Sequence, residues 1–240
     1  MTGLLDGRIA LVTGASRGIG AEVAKLYARA GAHVILLARS TKSLEEVDDV
    51  IRSEGGSATL MPFDLQNIDL LEALGPTIAE RFGRLDIWVG NAGILPSLMP
   101  VSHSKIVDWQ DVFHVNVLAN VQMIRTLEPL LKASDAGRAM VTGSGLGVDA
   151  YPFYGAYGAS KAAVMHLFKT WAEEVRHTSL KVNIVRPGAV DTEMLHTAFP
   201  GGYQGHDLRT PAQVAPLFLH LAKADCPHHG AIICPEDYGF

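Results

Sequence analysis

The chain has 240 residues, of which 48% are hydrophobic and 19% charged, a balance that excludes intrinsic disorder and supplies enough apolar residues for a large core. Its formal net charge of −5, without a basic block, argues against binding to nucleic acid or to an anionic membrane. Two cysteines are too few for a disulfide framework, no apolar run is long enough for a transmembrane helix, and the N-terminus does not resemble a signal peptide. We therefore expect one cytoplasmic, globular domain over residues 1–240.

Short runs rich in valine, isoleucine and leucine alternate with longer helical patterns. The apolar runs predict strands at 8–13, 33–38, 58–61, 86–90, 138–142, 181–186 and 231–234. The patterns between them predict helices at 19–30, 43–53, 68–82, about 109–133, 159–177 and 211–222. This alternation predicts an α/β fold, a doubly wound parallel sheet of about seven strands with helices on both faces. Gly75 and Pro76 lie inside the third helical pattern and are expected to break or kink it.

Residues 190–210 interrupt the alternation with a stretch that combines glycines and aromatic residues. One interpretation is a solvated connector, and the other is a mobile flap that closes over a substrate. The position of this stretch after the sixth predicted strand favours the flap.

A glycine-rich loop, from Thr13 to Gly20, follows the first predicted strand directly and opens the first helix. Gly14 permits a tight turn, Gly18 lets a pyrophosphate approach the backbone, and Gly20 lets the helix pack close to the strand. The helix N-terminus presents N–H groups and a partial positive charge to the phosphates. In this strand–turn–helix context the loop predicts a dinucleotide site.

The residues after the second predicted strand indicate which dinucleotide is bound. NAD sites place an acidic residue there for the ribose hydroxyls, but here the strand ends at Arg39 and Ser40, and the nearest acid is Glu45, inside a helix. Arg39, together with Arg17 in the glycine loop, can pair with a 2′-phosphate, which favours NADP(H) over NAD(H). The alternative is that both are ordinary surface arginines.

A tyrosine and a lysine are spaced to share one helix face. Tyr157 and Lys161 are four residues apart, at i and i+4 of the predicted helix. The Lys161 ammonium and a bound nicotinamide cation are expected to lower the pKa of the Tyr157 phenol. The phenol can then exchange a proton with a carbonyl or alcohol oxygen. Ser144, just after the fifth predicted strand, can steady that oxygen, or it is an ordinary turn residue. Asn116 is a polar residue in an apolar helical stretch, where it caps its own helix or holds a water beside Lys161.

In this order and spacing the motifs resemble the short-chain dehydrogenase/reductase family over essentially the whole chain. The resemblance implies a Rossmann-like fold and a catalytic tetrad of Asn116, Ser144, Tyr157 and Lys161. In this tetrad Tyr157 is expected to be the general acid/base, and Lys161 is expected to hold the nicotinamide ribose and to tune the tyrosine. Ser144 is expected to orient the substrate, and Asn116 to anchor a proton relay. It implies that Asp64 lies at the adenine, that Asn91 braces the sheet and that Thr192 bonds the nicotinamide carboxamide. The expected cofactor-binding residues are Gly14, Ser16, Arg17, Gly18, Ile19, Gly20, Arg39, Ser40, Asp64, Leu65, Asn91, Ala92, Gly93, Tyr157, Lys161, Pro187, Gly188, Val190 and Thr192.

The function expected from these motifs is NADP(H)-dependent hydride transfer between the nicotinamide and a ketone, an aldehyde or a secondary alcohol. The alternatives are an NADP(H)-sensing or scaffolding protein without turnover, and an NAD-dependent alcohol dehydrogenase. The substrate is a small-molecule carbonyl or alcohol, and an apolar or aromatic carbonyl is favoured by the residues expected to line its pocket: Leu95, Pro96, Leu98, Val148, Tyr151, Tyr154, Phe199 and Tyr203.

Two further expectations concern assembly and metals. The stretch 112–131 is apolar on more than one side, and the resemblance implies that it pairs with the helix of Lys161 in a homodimer or homotetramer. Cys226, His228, His229 and Cys234 lie close together in the sequence, but their spacing matches no common zinc site, and we expect no bound metal.

Overall fold

The computed structural model describes residues 3–238 and contains a seven-stranded sheet in the order β3-β2-β1-β4-β5-β6-β7. All neighbouring strands are parallel. The strands are β1 (Ile9–Thr13), β2 (His33–Ala38), β3 (Ser57–Pro62), β4 (Ile87–Gly90), β5 (Arg138–Thr142), β6 (Lys181–Val185) and β7 (Ile232–Ile233). The helices are α1 (Gly18–Arg29), α2 (Thr41–Ser53), α3 (Leu74–Phe82), α4 (Ile106–Phe113), α5 (Ala119–Ala133), α6 (Gly155–Val175), α7 (Glu193–Ala198) and α8 (Pro211–Ala222). The predicted doubly wound fold is confirmed.

Both faces of the sheet are covered because successive residues of each buried strand point to opposite sides. On one face, Val12 and Leu36 pack in a core that also contains buried residues of α1, α2 and α8. On the other face, Leu11 and Ile35 belong to a core built with α3, α5 and α6, where Trp88 meets two aromatic rings of α6. Strands buried on two sides explain the apolar runs without polar alternation.

The third predicted helix is divided into two pieces. Residues Ile68–Ala73 form a 3₁₀ helix, and α3 begins at Leu74. Gly75 and Pro76 lie in the first turn of α3, where a missing N–H costs little. A Cβ on Gly75 would overlap the backbone oxygen of Thr126, so the glycine permits the close approach of α3 and α5.

The fourth helical pattern is longer than predicted and is not continuous. It begins at Ile106 and is interrupted by a π-helical turn, His114–Leu118, between α4 and α5. Asn116 lies in the middle of this turn. Such π turns are frequent at functional sites.

The segment 190–210 contains structure that the sequence did not indicate. Helix α7 begins within it, and Val190 forms an isolated parallel bridge with Arg209, which brings the two ends of the segment together. Among the described residues, no helix has both the length and the apolar character needed to cross a membrane.

Candidate active site

The carboxyl ends of the parallel strands bring the predicted functional residues to one edge of the sheet. Residues that shortly follow six successive strands meet there: Gly14, Arg39, Asp64, Asn91, Ser144 and Pro187. Ligands of open α/β sheets bind at this edge, beside the point where the strand order reverses between β1 and β4.

The glycine loop has a backbone that other residues would strain. Gly14 and Gly18 have φ angles of +65° and +56°, in the left-handed region that glycine favours. Gly20 lies in α1, and a Cβ there would overlap the carbonyl oxygen of Gly14 and approach the amide of Asn91. Gly14 and Gly18 thus adopt a backbone conformation that other residues would strain, Gly20 allows close packing, and the approach of a pyrophosphate to Gly18 stays a prediction.

The N-terminus of α1 is arranged to receive an anion. Arg17 precedes the helix with an extended backbone (φ −164°) and provides no capping side chain, and no acidic residue occupies the first turn. The first N–H groups and the positive end of the helix dipole thus face the loop, where Ser16 and Ile19 are half-buried. This geometry fits a pyrophosphate.

The residues expected near the adenosine follow β2 and β3. Arg39 and Ser40 are exposed, and the Ser40 hydroxyl caps α2 by accepting from the N–H of Ser43 at 3.2 Å. After β3, Asp64 is half-buried and Leu65 is buried. The Arg39 side chain is thus accessible to the phosphate of a ligand, whereas Ser40 also has a structural role.

Arg17 has a partner that the sequence did not suggest. Its guanidinium lies 2.6 Å from the carboxylate of Glu193 in the first turn of α7, and both side chains are exposed. The pair joins the glycine loop to the segment 190–210. Arg17 must therefore exchange this contact, or share it, if it binds a phosphate.

Asn91 links three strands beneath the glycine loop. Its backbone N–H donates to the Thr13 hydroxyl at 3.0 Å, and its side-chain amide donates to the Thr13 carbonyl at 3.1 Å. The Thr142 hydroxyl donates to the Asn91 side-chain oxygen at 3.2 Å, and the N–H of Ala92 also donates to Thr13. These bonds give Asn91 the bracing position that was expected.

Tyr157 lies in the first turn of α6, with its side chain buried against the edge of the sheet. Burial raises the pKa of the phenol to about 12, and a hydrogen bond with Ser144 opposes that rise. Ser144 also accepts a hydrogen bond from the N–H of Leu146 at 3.2 Å. The Tyr157 hydroxyl is 3.9 Å from the sulfur of Met194 in α7, which places the short helix over the tyrosine.

In the protein on its own, burial dominates the pKa of Tyr157, and the expectation that the Lys161 ammonium and the nicotinamide together lower it stays a prediction. The Lys161 ammonium donates to the Thr142 carbonyl at 2.9 Å and lies 5.6 Å from the centre of the Tyr157 ring. Burial is the largest influence on both groups, and it lowers the pKa of Lys161 to about 8. With a pKa of about 12, Tyr157 is a neutral phenol at neutral pH.

Asn116 is held from both sides by the loop after β4 and by α6. Its side-chain oxygen accepts from the N–H of Ile94 at 2.9 Å, and its amide donates to the Ile94 carbonyl at 3.1 Å and to the Ser160 hydroxyl at 3.0 Å. Ser160 in turn donates to the Tyr157 carbonyl at 2.7 Å. A Cβ on Gly93 would lie 3.3 Å from the Asn116 oxygen and 3.6 Å from the Lys161 nitrogen.

Sequence reasoning missed Ser160, which connects Asn116 to the backbone of Tyr157. The only available signal was its position beside Lys161 in a buried helix turn. Of the two alternatives for Asn116, a cap of its own helix is not observed, because the side chain bridges the loop after β4 and α6, whereas a water held beside Lys161 stays a prediction.

The segment after β6 approaches the glycine loop. Pro187 and Val190 are buried, and Gly188 has a φ of +74°. The Thr192 hydroxyl donates to the Val190 carbonyl at 3.1 Å and caps α7 by accepting from Leu195 at 3.3 Å. A Cβ on Gly18 would meet the Thr192 methyl group at 3.3 Å, so Thr192 lies against the phosphate-binding loop.

An open cleft of about 420 Å³ separates the loop after β4 from the end of α7. Three predicted pocket residues line it, Leu95, Pro96 and Leu98, and Thr197 and Ala198 face them. The other predicted pocket residues do not line this cleft: Val148, Tyr151, Tyr154, Phe199 and Tyr203. Phe199 and Tyr203 instead pack edge to face against each other, with ring centres 5.2 Å apart.

A glycine-rich loop and a buried tyrosine–lysine pair at the carboxyl edge of a doubly wound sheet define a dinucleotide-dependent oxidoreductase class. The sequence profile of the short chain dehydrogenases matches residues 8–201. The chain belongs to this family.

Relatives and solved structures agree with that assignment. The uncharacterized oxidoreductase YciK of Escherichia coli K12 is 40% identical over 225 residues, covering 92% of this chain and 88% of YciK. A short chain dehydrogenase of Shigella flexneri, complexed with NADP, superposes with a TM-score of 0.93 at 37% identity, covering 98% of this chain and 100% of its own. An Escherichia coli CFT073 short chain dehydrogenase, complexed with NADPH, has a TM-score of 0.92 at 38% identity and 98% coverage of both chains.

Proposed function

We propose that this chain is an NADP(H)-dependent oxidoreductase that interconverts a ketone or aldehyde and the corresponding alcohol, with Tyr157 as general acid/base. The observation that carries the proposal is the buried Tyr157 side chain, beside Ser144 and 5.6 Å from the Lys161 ammonium, at the same sheet edge as the glycine loop. A structural tyrosine would not require this combination beside an anion-binding loop.

The residues fit a phosphorylated dinucleotide. The uncapped N-terminus of α1 and the Gly14–Gly18–Gly20 loop leave room for a pyrophosphate, and the exposed Arg39 follows β2, where the next acidic residue along the chain is Glu45. The NADP and NADPH complexes of the two bacterial structures support the same preference. When bound, the cofactor supplies or accepts the hydride, while the protein supplies orientation and the proton.

The protein side of the reaction follows from the protonation state of Tyr157. Its pKa of about 12 keeps the phenol protonated at neutral pH, so it donates a proton to a carbonyl oxygen more readily than it removes one from an alcohol. The Ser144 hydroxyl lies beside the phenol and orients the same oxygen. The Lys161 ammonium attracts negative charge as it forms on the phenol oxygen.

Asn116 and Ser160 are proposed to fix the position of Tyr157 relative to the loop after β4. Their bonds to Ile94 and to the Tyr157 backbone connect the loop after β4 to α6. A displaced tyrosine would lose proton transfer without losing cofactor contacts, because the glycine loop lies on a different element. The cleft lined by Leu95, Pro96 and Leu98 supports an apolar substrate.

Oxidation of NADPH across a panel of ketones and aldehydes tests the proposal, with NADH compared in the same assay. Tyr157→Phe removes the proton donor, and we expect turnover to fall by roughly 10²- to 10⁴-fold while NADPH affinity is retained. Tyr151→Phe is the matched control, because this exposed tyrosine precedes the same helix and should leave turnover unchanged.

Turnover that survives Tyr157→Phe would disprove its role as acid/base. NADPH binding without turnover in the wild type, for every member of the panel, would instead support a sensing or scaffolding protein. Faster turnover with NADH would favour an NAD-dependent dehydrogenase. The cytoplasmic location expected from the cysteine content stays a prediction.

A further inference from the structure

Three potential metal ligands converge at the end of the sheet opposite to the candidate active site. His220 lies in the last turn of α8, and Cys226 and His228 lie in the connection from α8 to β7. One ligand atom from each side chain lies within 4.8 Å of the other two. Arg138, the first residue of β5, bonds to the chain beside them, which places the cluster at the amino edge of the sheet.

The structure does not group the cysteines and histidines as the sequence suggested. His229 has both ring nitrogens engaged, one with the N–H of Val182 at 3.2 Å and the other with the Ala172 carbonyl at 2.9 Å. Cys234 lies beyond β7 and does not belong to the cluster. His220, which is distant in sequence and was not considered as a ligand, takes their place beside Cys226 and His228.

The connection that carries the ligands is held by buried polar side chains. Arg138 donates to the carbonyl oxygens of Lys223 and Ala224 at 3.0 and 2.6 Å. Asn183 donates to the His228 carbonyl at 2.9 Å. Since Arg138 and Asn183 are themselves buried, the backbone around Cys226 and His228 is fixed before any ion arrives.

The geometry points to a site for a borderline-soft divalent cation such as Zn²⁺, coordinated by the imidazoles of His220 and His228 and the thiolate of Cys226. Zinc–nitrogen and zinc–sulfur bonds of about 2.0–2.3 Å with tetrahedral angles put ligand atoms roughly 3.3–3.6 Å apart. The ligand atoms lie within 4.8 Å of one another and need to approach by roughly 1 Å to reach that separation. Cys226 is buried whereas the two histidines are half-buried, so a water or an exogenous ligand can take a fourth position on the solvent side.

The surrounding charges are compatible with such an ion. The imidazole rings of His220 and His228 lie with their centres 5.5 Å apart, and Asp225 adds a negative charge to the same connection. Arg138 lies near Cys226 and Asp225. Burial lowers the pKa of Arg138, and these two neighbours oppose that change. The thiolate that Cys226 would present to the metal and the Asp225 carboxylate carry negative charge, which balances the positive charges of Arg138 and Lys223.

This site would join the end of α8 to the connection that leads into β7. Because β7 has two residues, few backbone hydrogen bonds hold this outermost strand to the sheet. A metal that cross-links α8 to the connection therefore stabilises the folded chain rather than taking part in the reaction at the opposite edge.

Cobalt titration of the metal-free full-length chain tests the proposal, because a thiolate bound to Co²⁺ gives a charge-transfer band in the near ultraviolet. We expect one Co²⁺ per chain, displaced by Zn²⁺ but not by Mg²⁺. Cys226→Ser should abolish the band, and His228→Gln should weaken binding by more than about 100-fold, the upper range for the loss of a mere outer-shell partner. Cys234→Ser and the exposed His177→Gln are matched controls that should bind as the wild type does.

Thermal unfolding gives an independent readout that needs neither cofactor nor substrate. Zn²⁺ should raise the unfolding midpoint of the wild type and of Cys234→Ser, but not of His228→Gln. Absence of a charge-transfer band from the folded wild type would overturn the proposal, as would a band that is lost in Cys234→Ser and kept in His228→Gln. If Cys226→Ser does not fold, the wild type and the half-buried His228 variant still decide the question.

Discussion

The Lys161 ammonium is buried beside the candidate reaction centre, although removing a charged amine from water is costly. Its ammonium donates a hydrogen bond to the Thr142 carbonyl, and burial lowers its pKa from 10.5 to about 8. The folded chain therefore binds this proton less tightly than the unfolded chain does. The resulting free-energy cost is fully present below pH 8 and disappears as the pH rises toward 10.5.

Replacing Lys161 with methionine should stabilise the chain while removing turnover. The difference between 10.5 and about 8 corresponds to roughly 3 kcal/mol at 1.36 kcal/mol per pH unit. Loss of the charge-assisted bond to Thr142 costs about 1.5–2 kcal/mol, so we expect a net gain of about 1 kcal/mol at pH 7. Chemical denaturation without cofactor, at pH 7 and at pH 10, measures this gain and its decrease with pH.

Lys169→Met is the matched control, because Lys169 is exposed on the same helix and pays no burial cost. It should change stability little at either pH. A Lys161→Met chain that is less stable than the wild type at pH 7 would show that the ammonium has favourable partners that outweigh its burial.

The strands and most helices follow from the alternation of short apolar runs with helical patterns, which is strong because both faces of the sheet are buried. The π turn at Asn116 could not be predicted in this way. It depends on hydrogen bonds from Ile94, 22 residues away, and to Ser160, 44 residues away, and such contacts leave no local pattern. The same reason explains why the sequence suggested the glycine loop and the tyrosine–lysine pair but not the ion pair between Arg17 and Glu193.

Helix α7 is connected to the phosphate-binding loop by that ion pair. Glu193 places a negative charge 2.6 Å from Arg17, at the position where the proposed cofactor brings phosphate. The carboxylate therefore competes with the phosphate for the guanidinium and also repels it. Met194, the next residue, contacts the Tyr157 hydroxyl, so a shift of α7 on cofactor binding would also alter access to the tyrosine.

Glu193→Gln should tighten NADPH binding. An exposed ion pair contributes about 0–1 kcal/mol, so we expect the dissociation constant to fall by about two- to five-fold, with the larger effect at low salt. Fluorescence titration at two salt concentrations measures this. Glu173→Gln, which removes an exposed pair with Arg176 at the far end of α6, should leave binding unchanged. Weaker binding by Glu193→Gln would mean that Glu193 orders Arg17 for the phosphate rather than competing with it.

The single chain leaves a row of apolar side chains exposed along α4 and the π turn. Ile106 is 72% exposed, Val107 51% and Leu118 43%, although this stretch packs its other side against α6. Scattered exposed hydrophobic residues are normal, but three on one continuous helical stretch are a candidate interface. Leu118 lies within the stretch 112–131, for which the family resemblance implied a contact between copies, and Ile106 and Val107 precede that stretch.

We propose that two or four copies assemble through this surface, and light scattering during size-exclusion chromatography tests it. The wild type should elute at no less than twice the chain mass of 25.7 kDa. Leu118→Glu places a charge in the proposed interface and should shift the population toward one copy, because an unpaired carboxylate is costly to bury. Leu70→Glu, at a more exposed leucine ahead of α3, should not change the mass. A wild-type mass of one chain at micromolar concentration would contradict assembly. An unchanged oligomer in Leu118→Glu would instead place the contact on another surface of the same protein.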